Sequence, residues 1–361
     1  MILYKKYFMI LKRKKTWEIN IGSLKIGGEN PIVIQSMCDT KTHNVEATVQ
    51  QILNLEKKGC ELIRVAVPEE KDAKVLTKII AQIHIPLVAD IHFLPKMALL
   101  ALDHPIAKLR INPGNFLDKN LLKEVIAKAK DKKVAIRIGV NAGSLEQKFW
   151  NKYKAPTPQA LVESALESIK FFEKENFQNL IISVKTENVL NNIQAYRLLS
   201  SKTDYPLHLG VTHAGDQFDG TVKNSIGIGA LIADGIGDTI RVSLAADPIE
   251  EIKVCKMILK SFKLYTKEPD IIACPTCGRI SIDLKKILKE VKEKTKHLQN
   301  VRIAVMGCEV NGPGEARESD FGITGSNGKG IIFKKGKIIA RVPENEIVDK
   351  LIEIIEKNSK F

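Results

Sequence analysis

Eight short apolar runs alternate with longer amphipathic segments, and this rhythm constrains the fold more than any other feature of the chain. The runs are rich in β-branched residues, as buried strands are. They span 32–37, 61–67, 86–91, 107–113, 135–141, 180–186, 207–212 and 239–244. Strand–helix alternation predicts parallel strands covered by helices. Eight such units over roughly 220 residues predict a (β/α)8 TIM barrel, with a doubly wound open sheet as the alternative.

The segments between the runs carry apolar residues at helical spacing. Helices are predicted over 45–58, 120–130, 158–174 and 188–201, with a closing helix over 247–262. We therefore assign residues 1–265 to the barrel, with a linker over 264–270. Residues 266–361 are predicted to form a smaller α+β domain, with helices over 281–298 and 344–358, strands over 301–306 and 321–325, and a hairpin over 330–342.

Basic and polar residues recur where the predicted barrel strands end. The C-terminal ends of barrel strands line the active site, so we expect one mouth to gather Arg64, Asp90, Arg110, Asn112, Arg137, Asn141, Lys185, Arg241 and Ser243. Any one of these alone would usually be a surface charge or a helix cap. Together, the five cations need an anion, because buried like charges repel one another. The arginine fork matches phosphate oxygens in pairs, which predicts a diphosphate ligand.

Three cysteines of the second domain have the spacing of metal ligands. Cys274 and Cys277 form a Cys-x-x-Cys pair, and Cys308 lies in a later loop that is rich in glycine. Three thiolates without a fourth are typical of a reactive iron–sulfur cluster that keeps one iron open. The loop glycines let backbone N–H groups approach cluster sulfurs.

Three other interpretations of these cysteines stay open on spacing alone. A structural zinc site needs a fourth ligand, for which His297 is the candidate. A thioredoxin-like dithiol follows an early strand of a βαβ unit, whereas this pair comes late in the chain. A buried free thiol at Cys308 fits poorly with the polar, glycine-rich loop around it.

The net charge of +14 comes mainly from lysines dispersed along the chain, which is typical of a solvated surface. We see no basic stripe interleaved with aromatics, and attraction of an anionic substrate or an acidic protein is at least as well supported as nucleic-acid binding. Cys38, Cys60 and Cys255 lie in apolar or helical contexts, which indicates free thiols and a reducing cytoplasm. Neither a signal peptide nor a membrane span is expected.

Several motifs together resemble bacterial 4-hydroxy-3-methylbut-2-enyl diphosphate synthases, iron–sulfur reductases of the methylerythritol phosphate route to isoprenoids. The resemblance runs from about Arg13 to the C-terminus. It rests on VIQSM at 33–37, RVAV at 64–67, ADIHF at 89–93, RINPGN at 110–115, GIGDTIRVSL at 235–244, CPTCGR at 274–279 and GCEVNGPGE at 307–315. The last two are highly specific in combination.

The resemblance implies a [4Fe–4S] cluster on Cys274, Cys277, Cys308 and Glu315, the glutamate being the weaker ligand. The implied reaction is the two-electron reductive dehydration of 2-C-methyl-D-erythritol 2,4-cyclodiphosphate, with the barrel cations holding its diphosphate. Reduced flavodoxin or ferredoxin is the implied electron donor. The family also implies a homodimer in which the cluster domain of one subunit caps the barrel of the other.

One position departs from the family pattern. The family reads Thr-Glu-Ala-Gly after the seventh barrel strand, and this chain has Thr212-His213-Ala214-Gly215. The family's glutamate is a candidate proton donor, and a histidine can donate as imidazolium near neutral pH. We therefore name His213 as a catalytic candidate, with a structural replacement as the alternative.

A hypothesis of a different class is a basic barrel protein that carries a structural zinc and binds nucleic acid or another polyanion. It differs from the reductase in its metal, its oxygen sensitivity and its need for an electron donor.

Overall fold

The computed structural model describes residues 12–91, 94–112, 118–309, 314, 316–326 and 328–358. The chain divides into two compact units between Phe262 and Lys263. The expected linker over 264–270 ends in a strand instead, because Asp270 already pairs with Arg302 of a neighbouring strand.

The first unit is a parallel barrel of eight strands, preceded by a short antiparallel hairpin of β1 (Ile19–Ile21) and β2 (Leu24–Ile26). The barrel strands are β3 (Val33–Met37), β4 (Leu62–Ala66), β5 (Leu87–Ile91), β6 (Lys108–Ile111), β7 (Ala135–Asn141), β8 (Leu180–Lys185), β9 (His208–Leu209) and β10 (Thr239–Ile240). Their order runs from β8 back to β3 and on through β10 to β9. A parallel bridge between Ile182 and Leu207 joins the two ends. The TIM-barrel prediction is confirmed, and the open-sheet alternative is wrong.

Helices connect the strands of this unit. They are α1 (Val45–Lys57), α2 (Glu70–Lys74), α3 (Leu76–Ile80), α4 (Pro95–Ala101), α5 (Lys119–Asp131), α6 (Gln147–Tyr153), α7 (Pro158–Lys174), α8 (Val189–Ser200), α9 (Gln217–Ala233) and α10 (Pro248–Ser261). The predicted bounds of α7 are confirmed, because Thr157 caps its N-terminus through Ala160 N–H and Pro158 occupies its first turn. No helix in the described ranges is long and apolar enough to cross a membrane.

The hairpin of β1 and β2, which the sequence analysis did not identify, packs under the N-terminal end of the barrel. Ile19, Ile21 and Ile26 are buried against the first inward-facing residues of the strands, among them Val33 and Leu62. This apolar layer closes the end of the barrel that lies opposite the polar strand ends.

Strands β9 and β10 are shorter than predicted. Beyond the two residues of each strand, side chains of the neighbouring helices take the place of backbone hydrogen-bond partners from the sheet. Asn224 of α9 accepts from Val211 N–H at 3.4 Å and donates to the Ser243 carbonyl at 3.2 Å. Glu251 of α10 accepts from Leu244 N–H at 3.2 Å. Side chains of α9 and α10 thus bind the backbone at the mouth of the barrel, where the pairing of these two strands stops.

The second unit is a five-stranded sheet with helices packed on it. Its elements are β11 (Asp270–Ala273), α11 (Leu284–Lys294), β12 (Arg302–Val305), β13 (Phe321–Ser326), β14 (Lys329–Lys334), β15 (Lys337–Pro343) and α12 (Ile347–Asn358). β11, β12 and β13 are parallel, and β13, β14 and β15 form an antiparallel meander. The core lies between this sheet and the two helices, around Ile303, Ile323 and Leu351. The predicted small α+β unit is confirmed.

Candidate active site

Four of the five basic side chains predicted for the barrel mouth are buried in the barrel interior, and the fifth lies just beyond β10. Arg64, Arg110, Arg137 and Lys185 are each less than 9% exposed, and the Arg241 side chain is 17% exposed. Burial lowers the pKa of Lys185 well below its usual value, and Arg137, Arg241, Arg64 and Arg110 lower it further. The five cations therefore lie within electrostatic reach of one another, as the strand ends predicted.

Asp90 on β5 provides the first countercharge. Arg110 Nη1 donates to Asp90 Oδ1 at 3.1 Å, and Arg64 Nε lies 3.7 Å from Asp90 Oδ2. Arg64 also points two guanidinium nitrogens at the Met37 sulfur. Burial lowers the pKa of Arg64 to about 10, although Asp90 acts to raise it. Asp90 contacts these two arginines in the structure. We therefore expect it to contribute to substrate binding by positioning their guanidinium groups.

Glu251 provides the second countercharge and was missed by the sequence analysis. It lies on α10, is 2% exposed, and accepts from Arg241 Nη2 at 3.1 Å and from Ser36 Oγ at 3.0 Å. A glutamate on the inward face of an amphipathic helix is the signal that was available, because carboxylates are almost never fully buried without a partner.

Two of the cations have donors without protein partners. Arg137 Nε and Nη1 are buried and donate to no described residue, and the side-chain ammonium of Lys185, whose backbone pairs with β7, makes no hydrogen bond or ion pair with a described residue. Gly139 and Gly210 leave room for this cluster, since a Cβ would approach Arg110 Nε to 2.8 Å at the first and Lys185 Nζ to 2.6 Å at the second. Unpartnered buried donors of one sign of charge form a site for an anion.

Two asparagines complete the rim on neighbouring strands. Asn112 Nδ2 donates to Ser144 Oγ at 2.6 Å. The Asn141 amide, oriented with its oxygen toward Arg110, accepts from Arg110 Nη2 at 3.1 Å. Ser243 is partly exposed beyond β10, where its carbonyl binds Asn224. These expected hydrogen-bonding residues therefore surround the cations at the same end of the barrel.

His213 lies after β9, in the loop that leads to α9. Its side chain is exposed, and its backbone has a φ of 51°, in the left-handed region. The structure thus places His213 at the mouth rather than among the buried cations. Its catalytic role stays a prediction.

The cysteines of the second unit lie at the ends of adjacent parallel strands. Cys274 directly follows β11 and Cys308 follows β12, and the last residues of these strands, Ala273 and Val305, are paired. Gly307 N–H donates to Cys274 Sγ at 3.1 Å. Thr324 Oγ1 donates to the Cys308 carbonyl at 2.6 Å and holds that loop.

The chemistry of this edge fits an iron–sulfur cluster. A backbone N–H directed at a ligand sulfur is a common partner of cluster thiolates. Hydrogen bonds and charge from Arg279 lower the pKa of exposed Cys277, which favours its thiolate. Within the described ranges no three His, Cys, Asp or Glu side chains come close enough to hold a metal ion. Glu315 lies outside the described residues, and His297 is exposed on the segment after α11.

Two family models cover nearly the whole chain. The GcpE TIM-barrel domain matches residues 16–256, and the GcpE protein C-terminal domain matches residues 270–357.

Curated relatives are similar over almost their full length. The flavodoxin-dependent 4-hydroxy-3-methylbut-2-en-1-yl diphosphate synthase of Caldanaerobacter subterraneus subsp. tengcongensis is 52% identical over 353 residues, covering 98% of this chain and 99% of the relative. The enzyme of the same name from Clostridium perfringens is 51% identical over 347 residues, covering 96% and 99%.

Among solved structures, the N-acetylneuraminic acid synthetase of Leptospira borgpetersenii is similar in fold. The TM-score is 0.50 at 13% identity, over 69% of this chain and 90% of that chain. A likeness at this identity concerns the barrel architecture alone.

Proposed function

This chain belongs to the GcpE family of 4-hydroxy-3-methylbut-2-en-1-yl diphosphate synthases, and from that membership we propose that its barrel binds 2-C-methyl-D-erythritol 2,4-cyclodiphosphate for reductive dehydration. The protein is an oxidoreductase that forms (E)-4-hydroxy-3-methylbut-2-enyl diphosphate. Two electrons enter, the ring C–O bond to phosphate and one C–OH bond break, and the hydroxyl leaves as water after taking up a proton.

The observation that carries this proposal is the surplus of buried positive charge at the barrel mouth. Five cations face two carboxylates, Asp90 and Glu251, so the site without ligand holds uncompensated charge. A diphosphate offers several oxygens to the free N–H groups of Arg137 and to the Lys185 ammonium. Asn112, Asn141 and Ser243 add hydrogen bonds at the rim.

Asp90 and Glu251 orient the site without contacting the substrate. Asp90 contacts the guanidinium groups of Arg64 and Arg110, and Glu251 contacts that of Arg241, which limits the rotamers that these arginines can adopt. A preorganised cation stabilises charge as it develops on the freed phosphate, because no reorganisation is needed at that moment. We assign His213, at the mouth, as the donor of the proton that the departing hydroxyl takes up.

We assign Cys274, Cys277, Cys308 and Glu315 as the residues that would hold a [4Fe–4S] cluster. When bound, such a cluster supplies electrons one at a time. Arg279 keeps Cys277 ready as a thiolate, and Gly307 N–H binds the Cys274 sulfur.

The proposed partners follow from the family. Flavodoxin is the donor named for the relatives, ferredoxin is a second candidate, and a second copy of the chain completes a homodimer. The net charge of +14 favours association with an acidic donor, and an apparent KM for flavodoxin that is insensitive to salt would contradict this. A cytoplasmic location suits the six free cysteines.

Anaerobic purification tests the proposed function. We expect a brown protein with about four irons and four sulfides per chain, and turnover of the cyclodiphosphate with reduced flavodoxin. A colourless protein with one tightly held zinc would overturn the cluster assignment and favour the polyanion-binding alternative.

A further inference from the structure

A second polar layer lies beneath the cations of the mouth, where a TIM barrel is usually filled by apolar side chains. Lys108 on β6 is 0% exposed, and its ammonium nitrogen donates to Gln35 Oε1 on β3 at 2.9 Å. β3 and β6 are separated by β4 and β5 in the sheet order. The hydrogen bond therefore spans the barrel interior, and both side chains point into it.

Several buried polar atoms of this lower layer lack hydrogen-bond partners within the described ranges. Gln35 Nε2, Arg137 Nε and Arg137 Nη1 are buried without partners among the described residues, and so is His208 Nε2 on β9. His208 Nδ1 contacts Thr239 Oγ1 at 2.7 Å, and Tyr196 Oη donates to the His208 carbonyl at 2.6 Å. Lys108 Nζ contacts the neutral Gln35 amide, and no carboxylate in the part of the chain that the structure describes pairs with it. Complete burial without an ion-pair partner disfavours the charged form of Lys108 while the site is empty.

We propose that Lys108 is a positioning residue of the anion site, which takes up a proton when a diphosphate binds above it. The inference rests on the proposed function for the identity of the substrate, but it requires only that a diphosphate enters the barrel mouth. Lys108 does not reach the rim, so it acts through Arg137 and the field of the lower layer.

The charges that face Lys108 support proton uptake by its side chain when a diphosphate binds. Burial lowers the pKa of Lys108 well below its usual value, and Arg137 on β7 and Arg64 on β4 lower it further. Burial lowers the pKa of His208 on β9 well below its usual value, and positive charge from Arg137, Lys185, Lys108 and Arg64 lowers it further. Lys185 on β8 is a second buried lysine whose pKa burial and the arginines lower, and Asp90 on β5 is engaged by Arg110 and Arg64. A bound diphosphate offsets the repulsion from the arginines and so raises the pKa of Lys108 again.

Diphosphate affinity should depend on pH, because binding changes the protonation of Lys108. The pKa of Lys108 is low in the empty protein and higher in the complex, so binding takes up a proton at any pH between the two values. Within that window affinity increases as pH falls, by about tenfold per pH unit for one proton. Below the lower pKa Lys108 is protonated in both states, and the dependence ends.

Isothermal titration calorimetry of the full chain with inorganic pyrophosphate tests the proposal. Titrations in Tris and in HEPES at one pH near neutrality give the number of protons taken up, since these buffers differ in ionisation enthalpy. We expect Lys108→Met to take up about one proton fewer than the unchanged protein. Lys223→Met, on the exposed face of α9, is the control and is expected to match the unchanged protein.

Unchanged proton uptake in Lys108→Met would overturn the proposal. If that variant does not fold, Lys108→Gln is titrated instead, with thermal unfolding as a check on both. Repeating the titration with the cyclodiphosphate separates the two hypotheses. If proton uptake on pyrophosphate binding depends on Lys108 but the cyclodiphosphate does not bind, the role of Lys108 is supported and the proposed substrate is contradicted.

Discussion

Asp90 and Arg110 form a buried ion pair in which Arg110 Nη1 donates to Asp90 Oδ1 at 3.1 Å. The two residues are directly paired in the register of β5 and β6. The other oxygen of the same carboxylate lies 3.7 Å from Arg64 Nε on β4. One carboxylate thus ties together cations from the strands on both sides of it.

Asp90→Asn should destabilise the barrel and make its stability depend on a bound anion. Removing one partner of a buried ion pair costs about 3–5 kcal/mol, because the remaining charge stays uncompensated. Pyrophosphate should therefore raise the melting temperature of the variant more than that of the unchanged protein. The control is Asp103→Asn, whose pair with Lys128 is exposed and contributes little. An equal ligand-induced shift in both proteins would contradict the role of Asp90.

Glu251→Gln should weaken diphosphate binding by about tenfold, which corresponds to about 1.4 kcal/mol. The amide keeps one acceptor oxygen, which can serve Leu244 N–H, while its NH2 group takes the place of the oxygen that accepts from Ser36, and the charge that holds Arg241 is lost. Calorimetric titration with pyrophosphate measures the change. Glu250→Gln, the neighbouring and more exposed residue of α10, should bind normally, and normal binding by Glu251→Gln would refute the positioning role.

His213→Gln should lower turnover by about 10²–10⁴-fold if the imidazole donates a proton in the rate-limiting step. The visible absorption spectrum and the pyrophosphate affinity should not change, since the side chain lies at the mouth. His84→Gln, at an exposed pair with Glu56, is the control. Near-normal turnover of His213→Gln would make the residue a structural replacement.

Serine at Cys274, Cys277 or Cys308 should abolish stoichiometric iron and sulfide in anaerobically purified protein. The thiolate is the ligand, and a serine hydroxyl stays protonated near neutral pH. Cys255→Ala should retain the full iron content, because Cys255 is buried in α10 and burial raises the pKa of its thiol. Full iron content in Cys308→Ser would exclude Cys308 as a ligand.

A mixture of two inactive variants should recover activity if the barrel of one subunit works with the cluster domain of its partner. Arg137→Ala removes the anion site and Cys308→Ser removes the cluster, so each homodimer is inactive. Random exchange at equal amounts should restore about a quarter of the normal activity, because half of the dimers then hold one complete site. Absence of recovery, with exchange confirmed by differently tagged chains, would show that each chain works with its own cluster domain.

Local patterns were sufficient for the parts of the fold that depend on residues close in sequence. Strand–helix alternation predicted the barrel, helical spacing of apolar residues predicted α7 with its observed bounds, and the apolar run over 301–306 predicted the strand that leads to Cys308. The cations at the strand ends were predicted for the same reason, since the parallel arrangement alone brings those ends to one mouth.

The contacts that tune this site were decided by the tertiary structure alone. The bond between Lys108 and Gln35 depends on the order and stagger of four strands. The bond between Glu251 and Arg241 depends on where α10 packs, and the shortened β9 depends on Asn224 reaching from α9. The sequence by itself determined which elements form and which side chains point inward. Which of those side chains meet was decided only by closure of the barrel, because hydrogen bonds and ion pairs act over a few ångströms between residues far apart in the chain.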